Sequence, residues 1–255
     1  MKLSQNFLND QGATAIIIEA VKARADDNIL EIGPGRGAIT QGLIENGDCI
    51  SAVELDENLV DYLKTKYGPS KLRIKQGDIL RTNLSTFGKN IRLVGNLPYH
   101  ISSAILFHVT TFAKYVRDAH FMLQREVVER MVARPGIPSY GRLSVMLQYH
   151  WTMEKLFDLS PKSFSPSPKV WSSVIRMIPI KNHDIAACNY DYFKSIVATA
   201  FSQRRKMLKS SLKKIIDYND MEAAGIDPTL RAENLSVKNF VDLANKTPTR
   251  RMPRF

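Results

Sequence analysis

The chain has 255 residues, of which 44% are hydrophobic and 36 are Lys or Arg against 25 Asp or Glu, a formal net charge of +11. That hydrophobic content excludes a disordered chain, the length suits one large domain or one with a smaller companion, and the charge points to a polyanionic partner without specifying a fold. Cys49 and Cys188 have no His or Cys pattern nearby, and no apolar run approaches a membrane span or a signal peptide, so a cytoplasmic protein with no metal and no membrane partner is expected.

Apolar groups at Ala13, Ile16, Ile17, Ala20, Val21 and Ala23 have helical spacing and predict a helix within 11–24. Asn28–Ile32 reads as a short buried strand running into Gly33-Pro34-Gly35-Arg36-Gly37, and those glycines open a helix over 38–46. A second strand, Cys49–Val53, ends at Glu54, and an amphipathic helix covers 57–66. Leu72–Gln76 is a third strand, ending near Gly77-Asp78, and Ile91–Gly95 a fourth, ending at Asn96. Helical spacing returns over 102–112, followed by a fifth strand, Ala119–Leu123, and a helix over 125–133. Tyr140 to Tyr149 reads as helical, and Lys155–Leu159 and Ser172–Ile178 as late strands around a Pro/Ser-rich loop over 160–168. Alternating strands and helices predict a parallel sheet with helices on both faces.

After Pro179 the pattern is all helical, with one apolar stripe at Phe193, Ile196, Val197, Ala200 and Phe201 and another at Leu208, Leu212 and Ile215. A boundary near residue 180 follows, with a sheet domain over 1–180 and a helical domain over 181–255. Residues 1–180 hold 22 basic and 17 acidic side chains and residues 181–255 hold 14 and 8, so the tail is the denser positive element. Arg204, Arg205, Lys206, Lys209 and Lys213 fall in a stretch without an acid. Read as one helix, it sets Lys206, Lys209 and Lys213 on one face and Leu208, Leu212 and Ile215 on the other, a ridge for RNA phosphates rather than merely a solvated face.

In an open α/β sheet, ligands sit beyond the carboxyl ends of the strands, near the switch point. The Gly33–Gly37 loop has no following Lys-Ser/Thr and departs from Gly-x-Gly-x-x-Gly, so it is neither a phosphate loop nor a dinucleotide fingerprint. It is similar to the cofactor loop of S-adenosylmethionine (SAM) methyltransferases. Glu54, about twenty residues on, stands where a carboxylate accepts from ribose hydroxyls, and Asp78 where one accepts from an adenine amine. Asn96-Leu97-Pro98-Tyr99 matches the Asn/Asp-x-Pro-Tyr motif of amine-directed methyltransferases. The lone pair of an aromatic amine is delocalised into the ring. Acceptors on the Asn96 side chain and the Leu97 carbonyl can hold its two N–H groups and turn the lone pair outward, Pro98 stiffens the turn, and Tyr99 offers a face to a flipped base.

Seven segments in order extend the resemblance: Ser4–Leu8, Glu31–Gly35, Gly95–Tyr99, Phe121–Val127, Tyr140–Val145, Phe164–Val170 and Phe201–Leu208. Over residues 4–208 the chain resembles the rRNA adenine N6-dimethyltransferase family. The resemblance implies a Rossmann-like SAM methyltransferase sheet with helices on both faces and a small all-helical C-terminal domain. It assigns cofactor contacts to Asn6, Leu8, Gly33, Gly35, Glu54, Asp78 and Asn96, and sets Phe164 opposite Tyr99 to close on the target base, against a plainer reading of Phe164 as a plug under the Pro-rich loop. It further implies a monomer that dimethylates two adjacent adenosines in a hairpin loop near the 3′ end of 16S rRNA in the assembling small subunit. Two other readings stand beside it: an Erm-type methyltransferase acting on 23S rRNA, and a non-catalytic ribosome-assembly or RNA-binding factor.

Overall fold

The computed structural model describes residues 6–181 and 186–247, so Ser4 and Gln5 of the first motif lie outside the described residues. The chain resolves into two compact units, Met1–Val128 with Thr152–Pro179, and Glu129–Trp151 with Ile180–Phe255. In chain order the first part runs β1 (Phe7–Leu8), α1 (Gln11–Val21), β2 (Ile29–Ile32), α2 (Ala38–Asn46), β3 (Ile50–Glu54), α3 (Glu57–Tyr67), β4 (Leu72–Gln76), β5 (Ile91–Asn96), α4 (Ser102–Thr111) and β6 (Val116–Gln124). It continues through α5 (Arg125–Val132), α6 (Arg142–Gln148), β7 (Trp151–Leu159), β8 (Phe164–Ser165) and β9 (Ser172–Pro179), and then α7 (Tyr190–Ser202), α8 (Leu208–Ser211), α9 (Tyr218–Ala223) and α10 (Val237–Lys246).

Seven strands form one sheet in the order β4-β3-β2-β5-β6-β9-β7. The first five are mutually parallel; β2, β3 and β5 are buried along nearly their whole length, as strands covered on both faces are, whereas β4 at the edge is largely exposed. β9 adds antiparallel to β6, with Phe121 opposite Ile175, so the sheet is mixed rather than wholly parallel. Strand order reverses between β2 and β5, and this puts the carboxyl ends of those two strands at the switch point. Gly95 on β5 is part of that closeness: a Cβ there would lie 2.6 Å from the Ile32 carbonyl oxygen.

Local signals explain most boundaries. Asp10 caps α1 by accepting from the Ala13 N–H at 3.0 Å, and Lys22 ends it in the left-handed region at φ 51. Asp56 caps α3 by accepting from the Asn58 N–H at 3.0 Å. Below the sheet, Arg92 at the start of β5 is buried and donates to Asp27 at 2.6 Å, to Asp118 at 3.0 Å, and to the Val21 carbonyl at the end of α1 at 2.6 Å. His120 lies beside Asp118, and burial holds its ring well below the usual range, at about 4.

Three expectations meet a different arrangement. The 160–168 stretch is not all loop: Phe164 and Ser165 form a two-residue strand antiparallel to Phe7 and Leu8. Residues 129–151 group with the C-terminal unit instead of the sheet domain, because Tyr140, Val145, Met146 and Tyr149 bury in one core with Phe193, Ile196 and Phe240. Finally, 204–214 is not one helix. The chain leaves α7 at Ser202, Met207 forms a β-bridge with Arg231, and only Leu208–Ser211 is helical again.

Candidate cofactor and methyl-acceptor site

One pocket opens at the carboxyl ends of the parallel strands, and Asn6, Leu8, Gly33, Gly35, Glu54, Asp78 and Asn96 all line it, with Leu97, Pro98 and Tyr99. The loop after β2 turns through three glycines with positive φ, Gly33 at 66, Gly35 at 58 and Gly37 at 81, which L side chains rarely adopt. Gly33 N–H donates to the Val53 carbonyl at 2.9 Å, fixing the loop to β3. A Cβ at Gly33 would meet nothing within 4 Å, whereas one at Gly35 would press on the Phe7 ring at 3.2 Å.

Glu54 is buried, and its carboxylate accepts three backbone N–H groups, from Gly35 at 3.1 Å, Leu55 at 2.8 Å and Asp56 at 3.0 Å. Those bonds fix its orientation and leave one acceptor position of about four for a ligand hydroxyl. Asp78 accepts from the Leu80 N–H at 2.9 Å through Oδ1, and this tight turn sets its other oxygen at the end of β4. The remaining acid is Glu31, 2% exposed on β2, accepting from the Thr40 hydroxyl at 2.6 Å. The Glu54 and Asp78 carboxylates beside an open glycine loop suit a hydroxyl-bearing nucleoside and disfavour a polyphosphate.

Burial pushes the Glu31 carboxyl up to about 7, reinforced by the charge of Glu54. The folded state therefore keeps a proton that the unfolded chain, at 4.5, has already lost, and stability falls as the pH rises through that window. Glu31→Gln is expected to remove this slope, checked by thermal melts of both proteins at pH 5 and pH 8.

Asn96 also lines this pocket. Its Nδ2 donates to the Asn6 carbonyl at 3.1 Å, which leaves Oδ1 as the atom that can accept. Leu97 N–H donates to the Met122 carbonyl at 3.0 Å, so β6 fixes the backbone at Leu97, whose own carbonyl could serve as a second acceptor. The Tyr99 hydroxyl is within 2.6 Å of the buried Ser172 Oγ, which anchors the ring by its edge, and burial raises its pKa. This arrangement can hold two amine N–H groups beside an aromatic face.

Phe164 is not brought to this pocket. It is 3% exposed, pairs with Leu8 across β1 and β8, and packs in the core with Val94, Met122 and Val174. The plug reading describes this placement. Sequence reasoning missed Phe7 and Arg36: Phe7 covers Gly35, and the Arg36 guanidinium sits 4.7 Å above the Phe7 ring at the mouth of the pocket. Glu31 was legible as one acid in an otherwise apolar strand.

In the second unit Arg205, Lys206, Lys209 and Lys213 are exposed. Arg204 is a brace as well, donating through Nη2 to the Pro138 carbonyl at 2.8 Å and the Tyr140 carbonyl at 3.0 Å, and pairing with Glu233 at 3.3 Å. Among the described residues, no helix is long and apolar enough to cross a membrane, and no three His, Cys, Asp or Glu side chains gather as a metal site.

The family model described as ribosomal RNA adenine dimethylase matches residues 1–248. A ribosomal RNA small subunit methyltransferase A from Dechloromonas aromatica is 46% identical over 244 residues, covering 96% of each chain. Among solved structures, a dimethyladenosine transferase from Plasmodium falciparum superposes with a TM-score of 0.81 at 25% identity, covering 93% of this chain and 95% of its own. The 23S rRNA methyltransferase ErmE gives 0.74, also at 25% identity, over 94% and 99%.

Proposed function

We propose, for a chain that belongs to the ribosomal RNA adenine dimethylase family and is an rRNA adenine methyltransferase with a Rossmann-like fold, that its substrate is the assembling small ribosomal subunit. It dimethylates the N6 amines of two adjacent adenosines in the hairpin loop near the 3′ end of 16S rRNA, and it acts as a cytoplasmic monomer. The observation that supports this most is the Asn96 amide, held through Nδ2 so that Oδ1 and the Leu97 carbonyl stand as paired acceptors beside Tyr99. Mapping N6-dimethyladenosine in 16S rRNA from cells with and without the protein tests it, and dimethylation that persists in its absence overturns it.

The cofactor is SAM, whose sulfonium carries an electrophilic methyl group and leaves as a neutral thioether. Glu54 would take a ribose hydroxyl, Asp78 the adenine amine, and Asn6, Leu8, Gly33 and Gly35 would wall the pocket. The protein's own work is positional. Asn96 Oδ1 and the Leu97 carbonyl hold the acceptor amine, Tyr99 supports the base, and the proton released from nitrogen needs only water. Effective molarities of oriented groups make such positioning a large term without a dedicated base.

The small-subunit reading is favoured over a 23S rRNA substrate because relatives of that name are 43–46% identical while ErmE is 25% identical. A non-catalytic role fits less well with an intact Asn96-Leu97-Pro98-Tyr99 segment lining the pocket.

Binding of the subunit draws on Arg205, Lys206, Lys209 and Lys213, with Arg204 sharing its charge between RNA and its brace. Phosphate pairing of this kind gives affinity that falls with salt. The triple variant Lys206→Ala, Lys209→Ala, Lys213→Ala is expected to bind small subunits more weakly and to reduce the log–log salt slope by about one for each phosphate no longer neutralised. A binding titration between about 50 and 200 mM salt, a range over which such slopes are steep, is the check.

A further inference from the structure

Two adjacent adenosines cannot both occupy one pocket, so while one amine is held at Asn96 its neighbour must be supported outside. We propose that Trp171 is the stacking platform for that neighbouring base, an inference that rests on the adenosine-pair reading above. Ser172, whose Oγ holds the Tyr99 hydroxyl at 2.6 Å, is the next residue in the chain, so the Trp171 backbone lies one residue from the anchor of the ring that lines the pocket. Ser172 points inward and is fully buried, while the Trp171 indole is 48% exposed.

The position of Trp171 is fixed. Its carbonyl accepts from the Arg125 N–H at 2.9 Å, tying the segment to the end of β6, and Ser172 pairs with Gln124 in the β6–β9 ladder. The indole is thus left half in water on a fixed backbone. Cations flank it: Lys169 is exposed two residues before it, and Arg125, half-exposed at the start of α5, lies 4.0 Å from the Asp158 carboxylate and shares its charge with it. Exposed aromatic surface flanked by cations matches a base with its phosphate, and stacking tolerates either base identity. An acidic peptide or a lipid surface would use the cations but would leave no role for the register between Trp171 and Tyr99.

The test is methyl transfer to isolated small subunits by the full chain, comparing wild type, Trp171→Phe and Trp171→Ala, with SAM affinity measured alongside. Loss of one stacked base predicts that Trp171→Ala raises the KM for subunits about tenfold, leaves SAM affinity unchanged, and that Trp171→Phe recovers most of the loss. A second arm uses subunits reconstituted with an abasic site in place of one of the two adenosines: wild type loses the same factor and Trp171→Ala loses nothing further. An unchanged KM in Trp171→Ala, or an equal extra loss on the abasic substrate, overturns the platform. If wild type itself transfers no methyl to small subunits, the underlying reading fails first, and the two failures are distinguishable.

Discussion

Asn96→Ala is expected to lower the rate of methyl transfer by about 10² to 10³ while SAM binding weakens by only a few-fold. Removing one preorganised polar group from a reacting centre costs about 3–4 kcal/mol of barrier in comparable sites. The split follows from the two ends of the same amide. In the proposed mechanism Oδ1 accepts from the substrate amine, so its loss falls on the chemical step. Nδ2 holds the Asn6 carbonyl at 3.1 Å, and Asn6 lines the cofactor pocket, so that loss falls on binding and is worth about one neutral hydrogen bond, ~1 kcal/mol. Single-turnover transfer and a separate SAM titration read the two ends independently. A variant that transfers at the wild-type rate would remove Asn96 from the mechanism.

The largest effect on stability is expected for Arg92→Ala. Arg92 and its partners Asp27 and Asp118 are buried, with side-chain exposures of 6%, 2% and 6%. Deleting the cation leaves two buried carboxylates, and breaking a buried pair from one side costs about 3–5 kcal/mol. Asp27 keeps Arg117 at 2.8 Å, so the greater strain falls on Asp118, whose remaining neighbour is the His120 ring at 4.0 Å. For the sheet unit the loss corresponds to a drop in Tm on the order of 10 °C.

The deficit depends on pH, and its sign is fixed by His120. A histidine beside an uncompensated carboxylate binds its proton more tightly, so stability returns as the pH falls and that proton is taken up. The Arg92 charge is one of the causes that hold the His120 ring low, so its removal lets His120 take up a proton beside Asp118 more readily, and melts at pH 5.5 and 8 are expected to show a smaller gap between variant and wild type at the lower pH. An equal gap at both would place the cost in lost packing of the Arg92 stem instead.

The sheet and the residues that line the pocket at its carboxyl end were legible because both are local. Leu72–Gln76 is the third strand as read, and Ile29–Ile32 and Ile91–Asn96 differ from their readings by one residue at an end. Apolar runs ending in Gly33, Glu54, Asp78 and Asn96 put four chemical groups at four strand ends, and the parallel arrangement of those strands brings them to one pocket. What escaped the sequence depends on distant partners. Phe7 and Leu8 form a strand only because Phe164 and Ser165, more than a hundred and fifty residues later, pair with them, and neither stretch has the length or alternation of a strand by itself.

The basic segment shows the same limit from the other side. Residues 204–214 carry good helix formers and no Gly or Pro, so propensity favours one helix, yet Leu208 N–H donates to the Leu230 carbonyl at 2.8 Å and the Arg231 bridge holds Met207 extended. Tertiary pairing overrides a weak local preference. Likewise Tyr140 belongs with the helical unit because its hydroxyl donates to the Leu235 carbonyl at 2.9 Å, a bond across 95 residues that no local pattern announces.

The destination of the methyl group decides between the small-subunit substrate and every other. Purified small and large ribosomal subunits, both taken from cells lacking this protein, are offered separately to the enzyme with methyl-labelled SAM, and the RNA is digested to nucleosides. Label recovered as N6-dimethyladenosine from small-subunit RNA, at two neighbouring positions, is the predicted result. Label in large-subunit RNA with none in small-subunit RNA would contradict it.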